Sequence, residues 1–155
     1  MFKNKFLSFV IFGIITYSAS FIGAVATFTS KEPWYSELSK PAFTAPDWLF
    51  GPVWTILYLF MTIAIWSVWN KNFRNLNIVY IYFIHLFFNT TWSIIFFGLH
   101  QIFLALIVLM ILIILIIILI LKFKRVNYVS SCLMIPYLLW SSYALFLNFN
   151  LYILN

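Results

Sequence analysis

The chain has 155 residues, of which 65% are apolar, 23% aromatic and only 8% charged. Soluble domains average about 45–50% apolar and about 25% charged residues, so three acids and nine bases cannot solvate the surface of a globule this size. Disorder is excluded by the abundance of apolar side chains, and a disulfide scaffold by the single cysteine. The bilayer is the remaining solvent.

A hydrocarbon core of about 30 Å needs about 20 apolar residues in a helix. Five stretches meet that length: Phe6 to Phe28, Trp48 to Trp69, Ile78 to Gly98, Ile102 to Leu121 and Tyr128 to Ile153. They are continuous runs, unlike the segments of about ten alternating residues that build a barrel. The predicted fold is an all-α bundle of five transmembrane helices, a single domain over residues 1–155 without a linker.

Lys3 and Lys5 precede the first span, and Ala24-Val25-Ala26 within it resembles a signal-peptidase site. The apolar run is longer than the 7–15 residues or so of a signal-peptide core, so the span is expected to be retained. Its small residues step by four (Ala19, Gly23 and Thr27; Ser20 and Ala24). That spacing allows close helix contact, within the bundle or between subunits. The loop that follows, about Thr29 to Asp47, is the longest polar segment and carries Pro33, Pro41 and Pro46. Trp34, Tyr35, Leu38 and Phe43 give it apolar anchors, so it reads as a lid over the outer helix ends. The other connections are a few residues long, which makes sequential helices expected antiparallel neighbours. The fourth span is an unbroken run of twenty apolar residues, nearly all Ile and Leu, and reads as a lipid-facing wall.

Lys3, Lys5, Lys71, Arg74, Lys122, Lys124 and Arg125 fall on one side, whereas only Lys31 and Lys40 fall on the other. Seven against two over short loops is a positive-inside bias. It predicts a cytoplasmic N-terminus, with the first loop and the C-terminus outside. The net charge of +6 therefore marks the cytoplasmic face of the membrane and not a nucleic-acid partner. All three acids, Glu32, Glu37 and Asp47, lie on the outer side.

Counting depth at 1.5 Å per residue brings certain side chains to a common level. Trp54 and Tyr58 lie in the outer half of the second span. Asn89 is near the middle of the third span and Trp92 in its outer half. In the fifth span Trp140, Ala144 and Asn148 follow at four-residue steps, which stacks them on one face. Ala144 between two larger groups leaves a gap that suits a cavity. Amides in such helices also serve as interhelical glue, and both roles stay open for Asn89 and Asn148. Trp66 and Trp69, near Lys71, are expected in the interfacial aromatic belt, with Trp48 at the outer end. Trp54, Trp92 and Trp140 lie deeper than a belt, and a pocket of large rings suits a flat, hydrophobic, aromatic ligand.

His85 is ionisable within the membrane and is a functional candidate by default. Without a partner acid, the plainer reading is a neutral histidine satisfied by a neighbouring helix. His100 is expected at a solvated outer turn, and Cys132 as a reduced structural thiol near the inner end. Two histidines fifteen positions apart with one cysteine give no metal-site spacing. No acid lies inside a span, which argues against transport coupled to a membrane carboxylate. No Gly-rich phosphate loop, Ser-His-Asp or Cys-His arrangement is present. Pro136 is tolerated in a membrane helix and frees a carbonyl locally. Its neighbours Tyr137 and Trp140 suggest a face shaped for something other than lipid.

These residues carry a family likeness. Trp34 to Pro46 reads W-Y-S-E-L-S-K-P-A-F-T-A-P and continues as D-W-L-F-G-P-V-W-T-I-L-Y to Tyr58. Asn89 to His100 reads N-T-T-W-S-I-I-F-F-G-L-H, and Pro136 to Asn148 reads P-Y-L-L-W-S-S-Y-A-L-F-L-N. With these motifs the chain resembles a bacterial-type member of the TspO/MBR family, the tryptophan-rich sensory proteins, translocator proteins and peripheral-type benzodiazepine receptors. Three positions depart from the family pattern: Ala45-Pro46 stands where Pro-Pro is usual, His85 where Gln is frequent, and no basic residue closes the last helix. The last of these makes cholesterol a doubtful ligand.

The resemblance implies a homodimeric five-helix bundle that binds porphyrins such as protoporphyrin IX, together with benzodiazepine-site drugs, and requires no cofactor. It implies a pocket of Tyr35, Trp54, Asn89, Trp92, Trp140, Ala144 and Asn148 beside Tyr58, under a lid that includes Trp34, Pro41 and Pro46. A sensory, regulatory or transport role follows for a tetrapyrrole-binding protein. The alternatives are a light-dependent protoporphyrin-degrading enzyme, with Trp54 and Trp140 as candidates, and a structural membrane protein whose amides only join helices.

Overall fold

The computed structural model describes residues 4–71 and 76–155. Lys3 and Arg74, two of the bases in the charge argument, lie outside the described residues. Helix α1 (Lys5–Ser30) starts at Asn4, whose side chain accepts from the Phe6 and Leu7 amides, an N-cap that satisfies donors the helix leaves open. It is followed by the short turn α2 (Trp34–Glu37), then α3 (Asp47–Lys71) and α4 (Leu76–Ser93), which runs on into a π-helical turn over Ile94–Gly98. Helix α5 (Ile102–Lys124) comes next, and the last span is divided into α6 (Tyr128–Leu133) and α7 (Ile135–Leu154). Among the described residues, five helical segments are long and apolar enough to cross a membrane, as the sequence predicts.

The helices close into a ring. α1 packs on both α3 and α4, α4 packs on α5, α5 packs on α6 and α7, and α6 returns to α3. The second and third spans are therefore not the close neighbours that their short link predicts. Helix α1 lies between them, and they meet mainly through side chains such as Tyr58 and Asn89. The break at Met134 beside Pro136 divides the fifth span. Its inner segment leans on α3, whereas α7 stands off from α3. Proline cannot supply the amide that would continue the helix, and this departure opens space between the outer halves of α1, α3, α4 and α7.

Helix α5 is not only a lipid wall. Ala105, Leu109, Leu112, Ile116, Leu119 and Phe123 are buried, while Phe103, Met110, Ile114, Ile117 and Leu121 are exposed. One stripe at helical spacing fills the core against α4 and α7. Trp69 is likewise buried, edge-on to Phe12 of α1, and so is not a belt residue. Trp66 donates its indole N–H to the Lys5 carbonyl at the same end. Apolar side chains gain little by leaving lipid for one another. Close packing and interhelical hydrogen bonds therefore hold such a bundle.

Candidate ligand-binding site

The space between the four helices is a cavity of about 580 Å³. Ser20, Gly23, Ala24 and Thr27 of α1 line one side. Phe50, Gly51, Trp54 and Tyr58 of α3 line another, and Ala144, Leu147, Asn148 and Leu151 of α7 a third. Asn89, Trp92 and Ser93 of α4 complete the wall with Phe96 and Phe97 of the π turn. That wider turn carries two successive phenylalanines to the same wall, and the Leu99 amide closes it on the Ile94 carbonyl at 2.9 Å. The small residues of α1 bring α1 close to α4. A Cβ placed on Gly23 would meet Ser93 Oγ at 3.2 Å.

Tyr35 is buried beneath the lid and roofs the cavity. Burial, with Asp47, Tyr143 and Glu32 adding to it, pushes its phenol up to about 12, so the ring is neutral at physiological pH. The lid is pinned at four places. Trp34 stacks on His100, with ring centroids 4.3 Å apart. The side chain of Asn155 bonds both the amide and the carbonyl of Ser39. The Tyr143 hydroxyl accepts from the Ala45 amide at 2.8 Å and donates to the Phe43 carbonyl. Lys31, at the end of α1, pairs with Asp47 at the start of α3. The Pro41 and Pro46 carbonyls accept the Thr44 and Leu49 amides and begin the lid's last turns. His100 is exposed at the outer turn, as the sequence predicts, and is also held in place. It adopts a left-handed φ of 56° after the π turn, and its Nε2 bonds the Ser30 carbonyl at 2.8 Å.

At the base of the cavity the polar groups are bonded to one another. The Tyr58 hydroxyl donates to Asn89 Oδ1, and Asn89 Nδ2 donates to the Tyr137 hydroxyl at 2.9 Å. His85, fully buried, bonds the Tyr82 carbonyl through Nδ1 at 3.0 Å and the Tyr137 hydroxyl through Nε2 at 3.1 Å. The carbonyl can only accept, so Nδ1 carries the proton and Nε2 accepts from Tyr137. Tyr82 in turn shares a hydrogen bond with Thr16 of α1. Higher up, Trp92 Nε1 donates to Asn148 Oδ1 at 3.2 Å, and Asn148 Nδ2 donates to the Ile102 carbonyl. Both amides therefore face the cavity and also join helices.

Of the residues singled out from sequence, Tyr35, Trp54, Tyr58, Asn89, Trp92, Ala144 and Asn148 come together on this wall. Trp140 does not. It sits behind Phe50, edge-on at 5.6 Å, and against Tyr143 at 5.2 Å. The buried residues of α7 are Tyr137, Ser141, Ala144, Leu147, Asn148 and Leu151. Trp140 lies on the same side of the helix as Leu147, which reaches the cavity wall, so its azimuth alone does not exclude it. Phe50, which lines the cavity, packs between Trp140 and the space. The buried set also contains Tyr137, which sequence reasoning reached only as a neighbour of Pro136. It missed Phe50, Phe96 and Phe97 too, since apolar rings carry no signal of which face they occupy. Lys31, Glu32 and Asp47, outer-side charges in the sequence, line the cavity mouth. Trp54 is the hub of the rings. Its centroid lies 5.7 Å from Tyr58, 6.5 Å from Trp92 and 6.1 Å from Tyr137.

The TspO/MBR family model matches residues 10–154. The chain is 41% identical to the tryptophan-rich protein TspO of Chlorobaculum tepidum, covering 85% of this chain and 87% of that protein. It is 31% identical to the protein CrtK of Rhodobacter capsulatus over 96% and 95% of the two chains. It is 28% identical to the translocator protein of Bos taurus over 91% and 86%. With its five membrane-spanning helices and an aromatic cavity beneath the first loop, the chain is a multi-pass integral membrane protein that belongs to the TspO/MBR family.

Proposed function

We propose that the protein binds tetrapyrroles of the protoporphyrin IX kind in this cavity, in a sensory, regulatory or transport role, and that benzodiazepine-site drugs enter the same space. The observation that carries the reading is the cavity itself. Its volume of about 580 Å³ is within the roughly 300–1,000 Å³ of small-molecule sites, and Trp54, Trp92, Phe96 and Tyr35 supply ring faces to a flat ligand. The protein acts as a homodimer with its N-terminus in the cytoplasm. The bias of basic residues supports that orientation, and the lid and Asn155 share one end of the bundle.

Titration with protoporphyrin IX tests the reading. Saturable quenching of tryptophan fluorescence is expected, weakened by Trp54→Ala and little changed by Trp140→Ala. A ligand that binds the native state also raises the unfolding temperature. Non-saturable quenching with no thermal shift would leave the structural-protein reading standing.

A second reading, light-dependent porphyrin degradation, is supported by Trp54, which of the two candidate indoles is the one on the cavity wall. Illumination should then bleach bound porphyrin faster with the native protein than with Trp54→Phe. Equal rates would remove the enzyme reading.

A further inference from the structure

The cavity is covered above but not closed at its side. Raising the lid means unstacking Trp34 from His100 and releasing Asn155 and Tyr143 from the loop backbone. The seam between α1 and α3 changes along its length. In its inner half large side chains close it: Phe9 lies edge-on to Trp66 and Phe12 edge-on to Trp69, with ring centroids 5.4 and 5.8 Å apart. Next comes the Tyr17 hydroxyl, which donates to the Thr55 carbonyl at 3.1 Å. Nearer the lid the cavity residues of the two helices are small: Ser20, Ala24 and Thr27 on α1, Gly51 and Thr55 on α3. A Cβ added to Gly51 would meet nothing within 4 Å. The Lys31–Asp47 pair then draws the helix ends together. From position 47 to position 55, α3 rises about 12 Å between these two ties.

The same stretch also faces outward. Ser20 and Ala24, both cavity residues, line an open groove on the outer face of α1 together with Ile14, Tyr17, Phe21 and Ile22. Gly51 and Thr55 are exposed. Phe28 lines the cavity although it is 88% exposed, so little packing holds it in the gap. The two threonines offer no free hydroxyl to an apolar molecule in passage, because Thr27 and Thr55 donate to the Gly23 and Gly51 carbonyls of their own helices at 2.9 Å. A flat apolar ligand dissolves in the bilayer. To pass the lid it must first enter water, whereas a path between α1 and α3 keeps its apolar surface out of water throughout.

We propose that ligand enters sideways, from the lid-side leaflet, through a portal between α1 and α3. The Tyr17–Thr55 bond is its sill, the Lys31–Asp47 pair its lintel and Phe28 its door, and the lid stays shut. The molecules admitted are flat, mainly apolar ring systems dissolved in the membrane. This rests on the tetrapyrrole reading of the cavity and adds the route into it.

Stopped-flow quenching of tryptophan fluorescence by protoporphyrin IX tests the route, with the full chain in phosphatidylcholine vesicles. A portal sets a barrier and not an affinity, so a portal variant changes entry and exit by one factor and leaves Kd alone. A wall contact changes chiefly the exit rate. Gly51→Phe, which puts a ring into the gap, should slow entry and exit alike, severalfold. Phe28→Ala should speed both alike. Tyr143→Phe combined with Asn155→Ala unpins the lid and should leave the entry rate unaltered. Faster entry in that lid variant, with entry unchanged in Gly51→Phe and Phe28→Ala, would overturn the proposal in favour of a path through the lid. A Gly51→Phe variant that alters exit alone would overturn it too, because Gly51 is then only wall. Should Gly51→Phe fail to fold, unchanged rates in Phe28→Ala overturn it unaided, since that exposed side chain can be removed without loss of core packing. Saturable quenching with rates indifferent to both portal variants overturns this proposal alone, whereas no saturable quenching by the native protein overturns it together with the tetrapyrrole reading.

Discussion

Removing a single oxygen atom tests how the base of the cavity is held. Tyr137→Phe deletes a hydroxyl that accepts from Asn89 Nδ2 at 2.9 Å and donates to His85 Nε2 at 3.1 Å. Both partners are buried, so each is left without a mate. An orphaned buried group costs about 1–3 kcal/mol in soluble proteins, whereas interhelical hydrogen bonds in membranes average about 0.6 and reach about 1.7 kcal/mol. With two orphans and the membrane value weighted more heavily, Tyr137→Phe should cost about 1–3 kcal/mol. Exposed Tyr80→Phe is the control and should cost almost nothing. His85→Gln keeps a carbonyl that can accept the Tyr137 proton and should lose less than about 1 kcal/mol. His85→Leu keeps no acceptor and should lose as much as Tyr137→Phe. Reversible unfolding by added SDS in mixed micelles, followed by circular dichroism, measures all four. In the double variant Tyr137→Phe and His85→Leu, the losses should sum to less than their separate values, because the two residues share one bond. If Tyr137→Phe matches Tyr80→Phe, or if Gln is as harmful as Leu at position 85, the hydrogen-bond argument is wrong.

Four further substitutions probe the wall and the lid. Ala144→Leu adds bulk to open cavity space. It should leave stability intact and weaken protoporphyrin binding about tenfold, or about 1.4 kcal/mol, and unaltered quenching would take Ala144 off the binding surface. Gly23→Ala gains about 1 kcal/mol of helix propensity but places its Cβ 3.2 Å from Ser93 Oγ, an overpacking that costs about 1–3 kcal/mol. Gly51→Ala meets nothing within 4 Å and should gain about 0.5–1 kcal/mol. SDS unfolding that ranks Gly23→Ala above Gly51→Ala would refute the close approach of α1 and α4. The Tyr35 phenol, pushed up to about 12 from an ordinary value near 10, favours the folded lid while it is neutral. That stabilisation is complete below about pH 10 and is lost as pH rises through about 12, and Tyr35→Phe should lack the loss. Phenolate absorbance followed alongside unfolding would show whether the two coincide.

The span count was legible because lipid imposes a length, and the depth of Trp54, Trp92 and Asn148 was legible because a helix rises by a fixed amount per residue. Azimuth was not legible in the same way. The four-residue steps 140, 144 and 148 place three side chains on one side of α7, but they drift around the helix. It takes the alternating steps of 137, 141, 144, 148 and 151 to stay on one face. Azimuth alone does not place Trp140 either, since Leu147 lies farther round on the same side and lines the cavity. Packing on Phe50 keeps Trp140 off the wall, and Tyr137 is the fully buried ring. The lid shows the same limit. Its anchors Trp34, Tyr35 and Phe43 stood out as apolar residues in a polar loop, whereas their partners His100, Phe96, Phe97 and Phe146 come from distant parts of the chain.

Helix α5 shows why the membrane removes this information. In water, a helix with one buried face needs polar residues on the other, and the contrast reveals which is which. In lipid, both faces are satisfied by Ile and Leu, so the run from Ile102 to Leu121 reads identically on its core side and its lipid side. What separates Leu112 and Ile116, which are fully buried, from Ile114 and Ile117, which are exposed, is fit against α4 and α7 and not hydrophobicity. It follows that polar substitutions cannot be ranked along α5 from composition, but volume changes can be ranked from the structure. Shortening a core-facing residue such as Leu112 removes contacts that lipid cannot replace. Shortening Ile114 exchanges one hydrocarbon contact for another, and the bundle should hardly register it.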